Sequence, residues 1–175
     1  SKQLLDSETV NAKREAINRL YSASFLRRPD FNGLIHWVVR HDNGLSLRAM
    51  ADTFVASDEF QSRYGSLSNG DFVNLVYQNV MSRLPESDGM TYWQGRLDSG
   101  DLSRGGMMIE FSESEENLLK SEHSDKVVVL FNLLHRRAPT DDEFTSWFDA
   151  LSTGTDSALL IDAIVNSNEY QGRFY

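Results

Sequence analysis

The chain contains no cysteine. That excludes a disulfide framework, a thiolate nucleophile and every cysteine-ligated metal site. It does not fix the compartment, because exported proteins can lack cysteine too. Proline is scarce, with three in 175 residues, and so is tryptophan, also three. No apolar run approaches the ~20 residues that span a bilayer, and no signal-peptide pattern opens the chain. Positive charge is in deficit: 17 Lys and Arg against 26 Asp and Glu give a formal charge of -9 and a pI near 4.8. Nucleic-acid binding relies on neutralising phosphates with Lys and Arg, and anionic membrane surfaces attract the same residues. Neither nucleic acid nor membrane insertion is therefore expected. What is present suffices for a core: 40% hydrophobic and 11% aromatic residues are too many for a disordered chain.

The scarce residues fall in register. Tyr21, Tyr77 and Phe131 each stand sixteen residues before a tryptophan, Trp37, Trp93 and Trp147. Eight residues after each leading aromatic stands a proline, Pro29, Pro85 and Pro139, preceded at two residues by Arg27, Arg83 and Arg137. Seven residues after each tryptophan stands Gly44, Gly100 or Gly154. The tail recurs as well: "FVASDEFQSRY" from Phe54 matches "IVNSNEYQGRF" from Ile164, and the middle copy carries Phe111, Ser114 and Glu116 in the shared positions. Self-similarity at a period near 55 residues indicates three copies of one unit, over 1–66, 67–122 and 123–175, joined as one continuous module.

Each unit reads as helices. Ile17, Leu20, Tyr21 and Ser24/Phe25 form an i, i+3, i+4, i+7 stripe, repeated by Val73, Val76, Tyr77 and Val80 and by Val127, Leu130, Phe131 and Leu134. The proline ends that first helix. Asp30 and Thr140, the latter in a capping box with Glu143, open the second. Glu86 is a poorer cap, with Ser87 one residue on. The glycines suit the left-handed residue that closes the second helix. Ser46 or Ser103 opens a third helix, and Ser57, Ser114 and Ser167 cap a short fourth. No segment alternates with period two. The expected fold is all-α, a tandem array of three helical repeats, each with about three helices plus a short fourth.

The pattern R-x-P-[DE]-x-x-G-x-x-x-W, then glycine, then S-x-E, resembles the bacterial repeat domain of unknown function 4214. It is also similar to the domain of phycobilisome linker polypeptides. Copy two carries it most fully, from Asn79 to Asn117, and copy one through "RRPDFNGLIHW". Copy three departs: Glu143 replaces Gly33 and Gly89, and Ala158 stands where Arg48 and Arg104 were aligned. A degenerate third copy fits a terminal cap. The resemblance extends over residues 10–175 and implies a helical module within a larger exported protein, S-layer-like or RTX-type, with no assigned catalytic residues.

Several residues are candidates for binding. Arg27, Arg83 and Arg137, with neighbours Arg28 and Arg136, could hold an anion, but a residue present in every unit more naturally serves the unit, bridging the repeated glutamate in a bidentate pair. Tyr21, Trp37, Phe54, Tyr77, Trp93, Phe111, Phe131 and Trp147 read as the structural repeat core. Phe31, His36 and Tyr92, beside the tryptophans, are better placed for exposed contacts such as sugar stacking. Asp30 to Gly33, Glu86 to Gly89 and Asp141 to Glu143 superficially suggest calcium. They lack the alternating oxygen ligands of a calcium loop, and capping accounts for them. His36, His41, His123 and His135 show no metal-ligand spacing, and Gly105-Gly106 reads as a weak point within a helix. No metal, cofactor or catalytic residue is expected. The functional expectation is a non-catalytic interaction or assembly module of an exported or cell-surface protein, with other protein subunits as partners. The alternative is a carbohydrate-binding module for surface or extracellular polysaccharide.

Overall fold

The computed structural model describes residues 2–173, with side chains from residue 11 onward. All regular structure among them is helical. Helices α1 (Lys2–Phe25), α2 (Phe31–Asp42), α3 (Leu47–Val55) and α4 (Asp58–Tyr64) come first. Helix α5 (Asn69–Val76) passes into a π-helical turn, π1 (Tyr77–Met81), followed by α6 (Ser87–Ser99) and α7 (Arg104–Ser112). Helix α8 (Glu115–Leu130) passes into a second, π2 (Phe131–His135), before α9 (Asp141–Ser152), α10 (Ser157–Val165) and α11 (Asn168–Gln171). The division drawn between residues 122 and 123 lies inside α8.

Short polar side chains start these helices. Ser46, Ser57, Ser68, Ser103, Ser114 and Ser167 each accept a hydrogen bond from the backbone N–H three residues on, satisfying one of the first-turn donors that a helix leaves free. Asp30 does the same for α2, and Thr140 and Glu143 form a reciprocal capping box at α9. Glu86 starts α6 without a side-chain cap bond. The helix ends also follow a pattern. Gly44, Gly100 and Gly154 adopt φ of +98°, +80° and +97°, closing α2, α6 and α9. Leu26, Ser82 and Arg136 adopt φ of +54°, +60° and +55°, a left-handed conformation that costs an L-residue roughly 1–2 kcal/mol. Each stands immediately before Arg27, Arg83 or Arg137 and reverses the chain so that the arginine can reach back across its own unit.

Two hydrophobic clusters result. The larger gathers Ile17, Leu20, Tyr21 and Phe54 with Tyr77, Met107, Met108 and Phe111, so that α1–α7 share one core. The smaller holds Val127, Phe131, Leu151, Leu160 and Ile164, between α8 and α10. Trp37 and Trp93 pack half-buried against the first cluster, and Trp147 against the second.

Among the described residues, α3 and α7 pack on each other more extensively than any other pair of helices. This changes the reading of Gly105-Gly106. Both glycines are buried, and a Cβ on Gly105 would stand 3.2 Å from the α3 backbone at Ala51 and Asp52. Gly105 lets the α7 backbone lie against that of α3, so the pair belongs to a helix–helix contact and is not a weak point in one helix. Arg48 and Arg104 also prove to be different residues structurally. Arg48 donates to Ser103 Oγ at 2.8 Å, whereas Arg104 donates to the carbonyl oxygens of Tyr64 and Leu67 at 2.7 and 2.6 Å. The extra residue between Gly100 and Phe111 shifts α7 by one position, so Gly105 is the counterpart of Arg48.

Candidate functional site

The three recurring arginines are spent within the molecule. Arg27 grips Glu59 through Nε and a terminal nitrogen at 2.8 and 2.9 Å, and Arg83 grips Glu116 at 3.0 and 2.9 Å. Arg137 makes the same fork to Glu169, both bonds at 2.8 Å, and a second to Glu143, both at 2.7 Å. Each guanidinium also lies over the leading aromatic of its unit, 5.1 Å from Tyr21, 5.1 Å from Tyr77 and 5.4 Å from Phe131. The planar arginine fork matches a carboxylate geometrically, so the loop before α2, α6 or α9 is tied to α4, to the first turn of α8 or to α11 respectively. The bonded nitrogens are committed to the glutamates, while the Arg27 and Arg83 side chains remain nearly half exposed.

The forks leave an acid signature. Hydrogen bonds from Arg137 hold the Glu143 carboxyl down at about 2, from an ordinary 4.5. Glu59, Glu116 and Glu169 are also lowered, each chiefly by its arginine. A depressed folded-state pKa stabilises the fold above the unfolded value and loses that contribution as pH falls through the folded one. The melting temperature should therefore drop between about pH 4.5 and pH 2, and Glu143→Gln should flatten part of that drop in pH-resolved thermal unfolding. Equal slopes for the two proteins would show that the fork carries no stability.

The second polar constellation is buried. Arg19 on α1 donates through Nε and a terminal nitrogen to Glu113 at 3.0 and 2.7 Å, and its other terminal nitrogen donates to Asp125 at 3.2 Å. Asn18 and Ser121 add bonds to Asp125 at 2.7 and 2.9 Å. The Arg19 and Asp125 side chains are only 9% and 4% exposed. Burial pushes the Asp125 carboxyl above the ordinary aspartate value, against the bonds from Asn18, Ser121 and Arg19. Burial alone would lower Arg19, but Glu113 and Asp125 outweigh it and keep the guanidinium charged. The group borders a cleft of about 200 Å³ between α1, π1 and α8, whose rim includes Asn79, Lys120 and Ser124. Lys120 Nζ donates to Val80 O and Ser82 Oγ, the place where Arg63 and Arg173 bind the carbonyls of Phe25 and Leu134. The charged groups satisfy each other here, as an ion network joining α1 to α8 and the α7–α8 junction, while Asn18 Oδ1 is left buried without a hydrogen bond. Sequence reasoning missed Arg19 and Asn18, which lie off the Ile17, Leu20, Tyr21 and Ser24 stripe, so the spacing within α1 gives no sign that they are buried.

The other candidates lie apart from this cluster. Arg28 stacks 4.0 Å over Phe144 and pairs with Asp141, tying the loop before α2 to α9. Arg136 is exposed beside Leu133, Tyr170 and Arg173. Phe31 is half-buried, and His36 is exposed with its ring edge-to-face on Trp37 at 4.9 Å. Tyr92 is 54% exposed, perpendicular to Trp93, with its hydroxyl accepting from Arg96 at 3.0 Å. The Trp93 indole donates to Tyr77 Oη at 3.1 Å. Among the described residues no three of His, Asp and Glu converge as metal ligands, and no helix is long and apolar enough to cross a membrane. No curated protein and no solved structure matches the chain. Residues 51–121, from within α3 to the first turns of α8, match the family model described as Domain of unknown function (DUF4214), so over that stretch the chain carries the family's pattern.

Proposed function

We propose that the chain is a non-catalytic interaction module, a tandem array of three helical units within a larger exported or cell-surface bacterial protein, and that it attaches that protein to others. The observation that carries this reading is how the repeated residues are used. Each recurring arginine is consumed by its glutamate, and each leading aromatic is buried. What recurs therefore builds the unit, and several residues that differ between units face outward: Val39, Leu84, Leu119 and Leu159 are exposed. Arrays of this kind present extended surfaces to partners.

One observation keeps a carbohydrate-binding alternative in play, the exposed Tyr92 ring held by Trp93 and Arg96. Two measurements separate the readings. A photo-crosslinking amino acid at Leu119, expressed in the parent protein in its own host, should give protein adducts, and protease treatment of intact cells should release its peptides. Titration of purified surface polysaccharide into the chain should give no saturable heat. Confinement of the parent protein to the cytosol overturns the surface reading. A saturable heat lost in Tyr92→Ala replaces protein attachment with sugar binding.

A further inference from the structure

Four residues after each leading aromatic stands Phe25, Met81 or His135. Phe25 belongs to the larger hydrophobic cluster, and Met81 packs against it. His135 takes the same register at the end of π2, with its ring 5.3 Å from that of Phe131 and only 5% exposed. An imidazole thus sits where an apolar side chain serves elsewhere. Its Nδ1 is buried without a hydrogen bond, and so is Asn132 Oδ1 in the same turn. Two of the five such atoms among the described residues lie in this one turn, so π2 carries a polar cost that nothing offsets. Helices α10 and α11 both pack on π2, which makes it the support for that end of the smaller cluster.

The charges that act on His135 are two carboxylates and two guanidiniums. Glu169 of α11 places Oε1 3.5 Å from Nδ1 without a hydrogen bond, and Glu143 of α9, Arg137 and Arg173 complete the set. Arg137 already holds both carboxylates in two-bond forks, and Arg173 stands 4.0 Å from Glu169. Helix α8 brings no ionisable residue in its last turn, Val127 to Leu130. The one ionisable residue of α10, Asp162, is exposed, as is Arg136, while Tyr170 packs against the cluster. With the charges opposed two against two, burial decides, and it pushes the His135 imidazole below its ordinary value.

We infer that His135 is an acid-sensitive latch: uncharged, it fills the seat beside the Arg137–Glu169 fork and keeps α10 and α11 on π2, and once protonated it leaves that seat for water and loosens this end of the molecule. Leaving is favoured over pairing with Glu169, because both oxygens of that carboxylate are bonded to Arg137 and a second guanidinium stands beside it. A base whose folded-state pKa lies below its unfolded one stabilises the fold above the unfolded value. That contribution is lost as pH falls through the unfolded value toward the folded one. The window therefore opens near pH 6.5, above the range in which the carboxylate forks respond. The larger cluster contains no histidine and keeps its packing there.

Amide hydrogen exchange of the full chain at pH 7.5 and pH 5.0, corrected for intrinsic rates, reads the latch region by region. Amides of π2, α10 and α11 should lose protection severalfold at pH 5.0, while those of α3 and α7 keep theirs. His135→Phe puts into the seat the residue that Phe25 supplies in the same register, and it should abolish the loss. If circular dichroism at pH 7.5 shows that phenylalanine does not fit, His135→Met, after Met81, takes its place with the same expectation. In the parent chain the His135 ring protons should titrate below 6.5 by NMR. A ring that titrates above 6.5 would mean that Glu169 tightens the latch in acid, and would overturn the inference. Equal protection at the two pH values, a loss that persists in the folded variant, or a loss spread evenly over the chain would each do the same.

Discussion

Arg19→Met should reduce stability to urea unfolding by about 3–5 kcal/mol, the usual loss when one member of a buried ion pair is removed. Methionine restores most of the packing volume, so the loss comes from charge. Glu113 is more exposed and can turn to water, but Asp125 cannot. Its remaining bonds from Asn18 and Ser121 are neutral and only partly offset the burial of a carboxylate. The pH dependence identifies the cause. Without Arg19 the Asp125 folded-state pKa rises further above its unfolded value, so stability persists at low pH and is lost as pH rises through the folded pKa. The deficit relative to the parent chain should therefore be larger at pH 8 than at pH 5. Adding Asp125→Asn, which removes the stranded charge, should recover roughly half of the loss. A deficit that is equal at both pH values would assign the effect to packing instead.

Phe54→Ala should cost a comparable ~3–5 kcal/mol, the range for deleting a fully buried aromatic ring. Phe54 meets Tyr21, Phe25 and Trp37 at centroid distances of 5.7, 4.9 and 4.8 Å, and three surrounding rings cannot collapse into the space it leaves. Its counterpart Ile164 lies in the smaller cluster beside Leu160 and Trp147. Removing fewer atoms there leaves a smaller cavity, so Ile164→Ala should cost about 2–3 kcal/mol. Calorimetry of the two variants would check the order, and a larger loss for Ile164→Ala would mean that the two clusters are not equivalent in packing.

The elements that were legible in the sequence are those fixed by local chemistry. Serine and aspartate caps, glycines at helix ends and apolar spacing in α1 and α5 depend on residues a few positions apart, and these elements formed where the pattern placed them; the short helix expected after Ser114 instead runs without a break into the next unit's first helix as α8. The bidentate pairing of Arg27, Arg83 and Arg137 with glutamates about thirty residues on was legible for another reason, since both partners recur together. Contacts made once were not legible. Arg19 meets Asp125 from 106 residues away, with no second copy of the pair to reveal it. The burial of Gly105 depends on α3 crossing α7, which the spacing within either helix does not encode. The π-helical turns at Tyr77 and Phe131 were also hidden: α1 carries the same apolar stripe yet stays α-helical to Phe25, and nothing in the structure explains the difference.

Helix α8 lies between the two hydrophobic clusters as a continuous rod with no flexible joint, so the orientation of everything after it is set by helical phase. One residue inserted between Asn117 and Val127 would rotate the second cluster by about 100° around the rod and advance it by about 1.5 Å. Asp125 would then point away from Arg19, or α9 away from the loop that carries Arg28. Length variation in such a chain is therefore tolerated between Gly100 and Ser103, where the extra residue of the middle unit sits, but not along the rod. The mutual orientation of the two clusters behaves as a gear setting, changed only in whole turns.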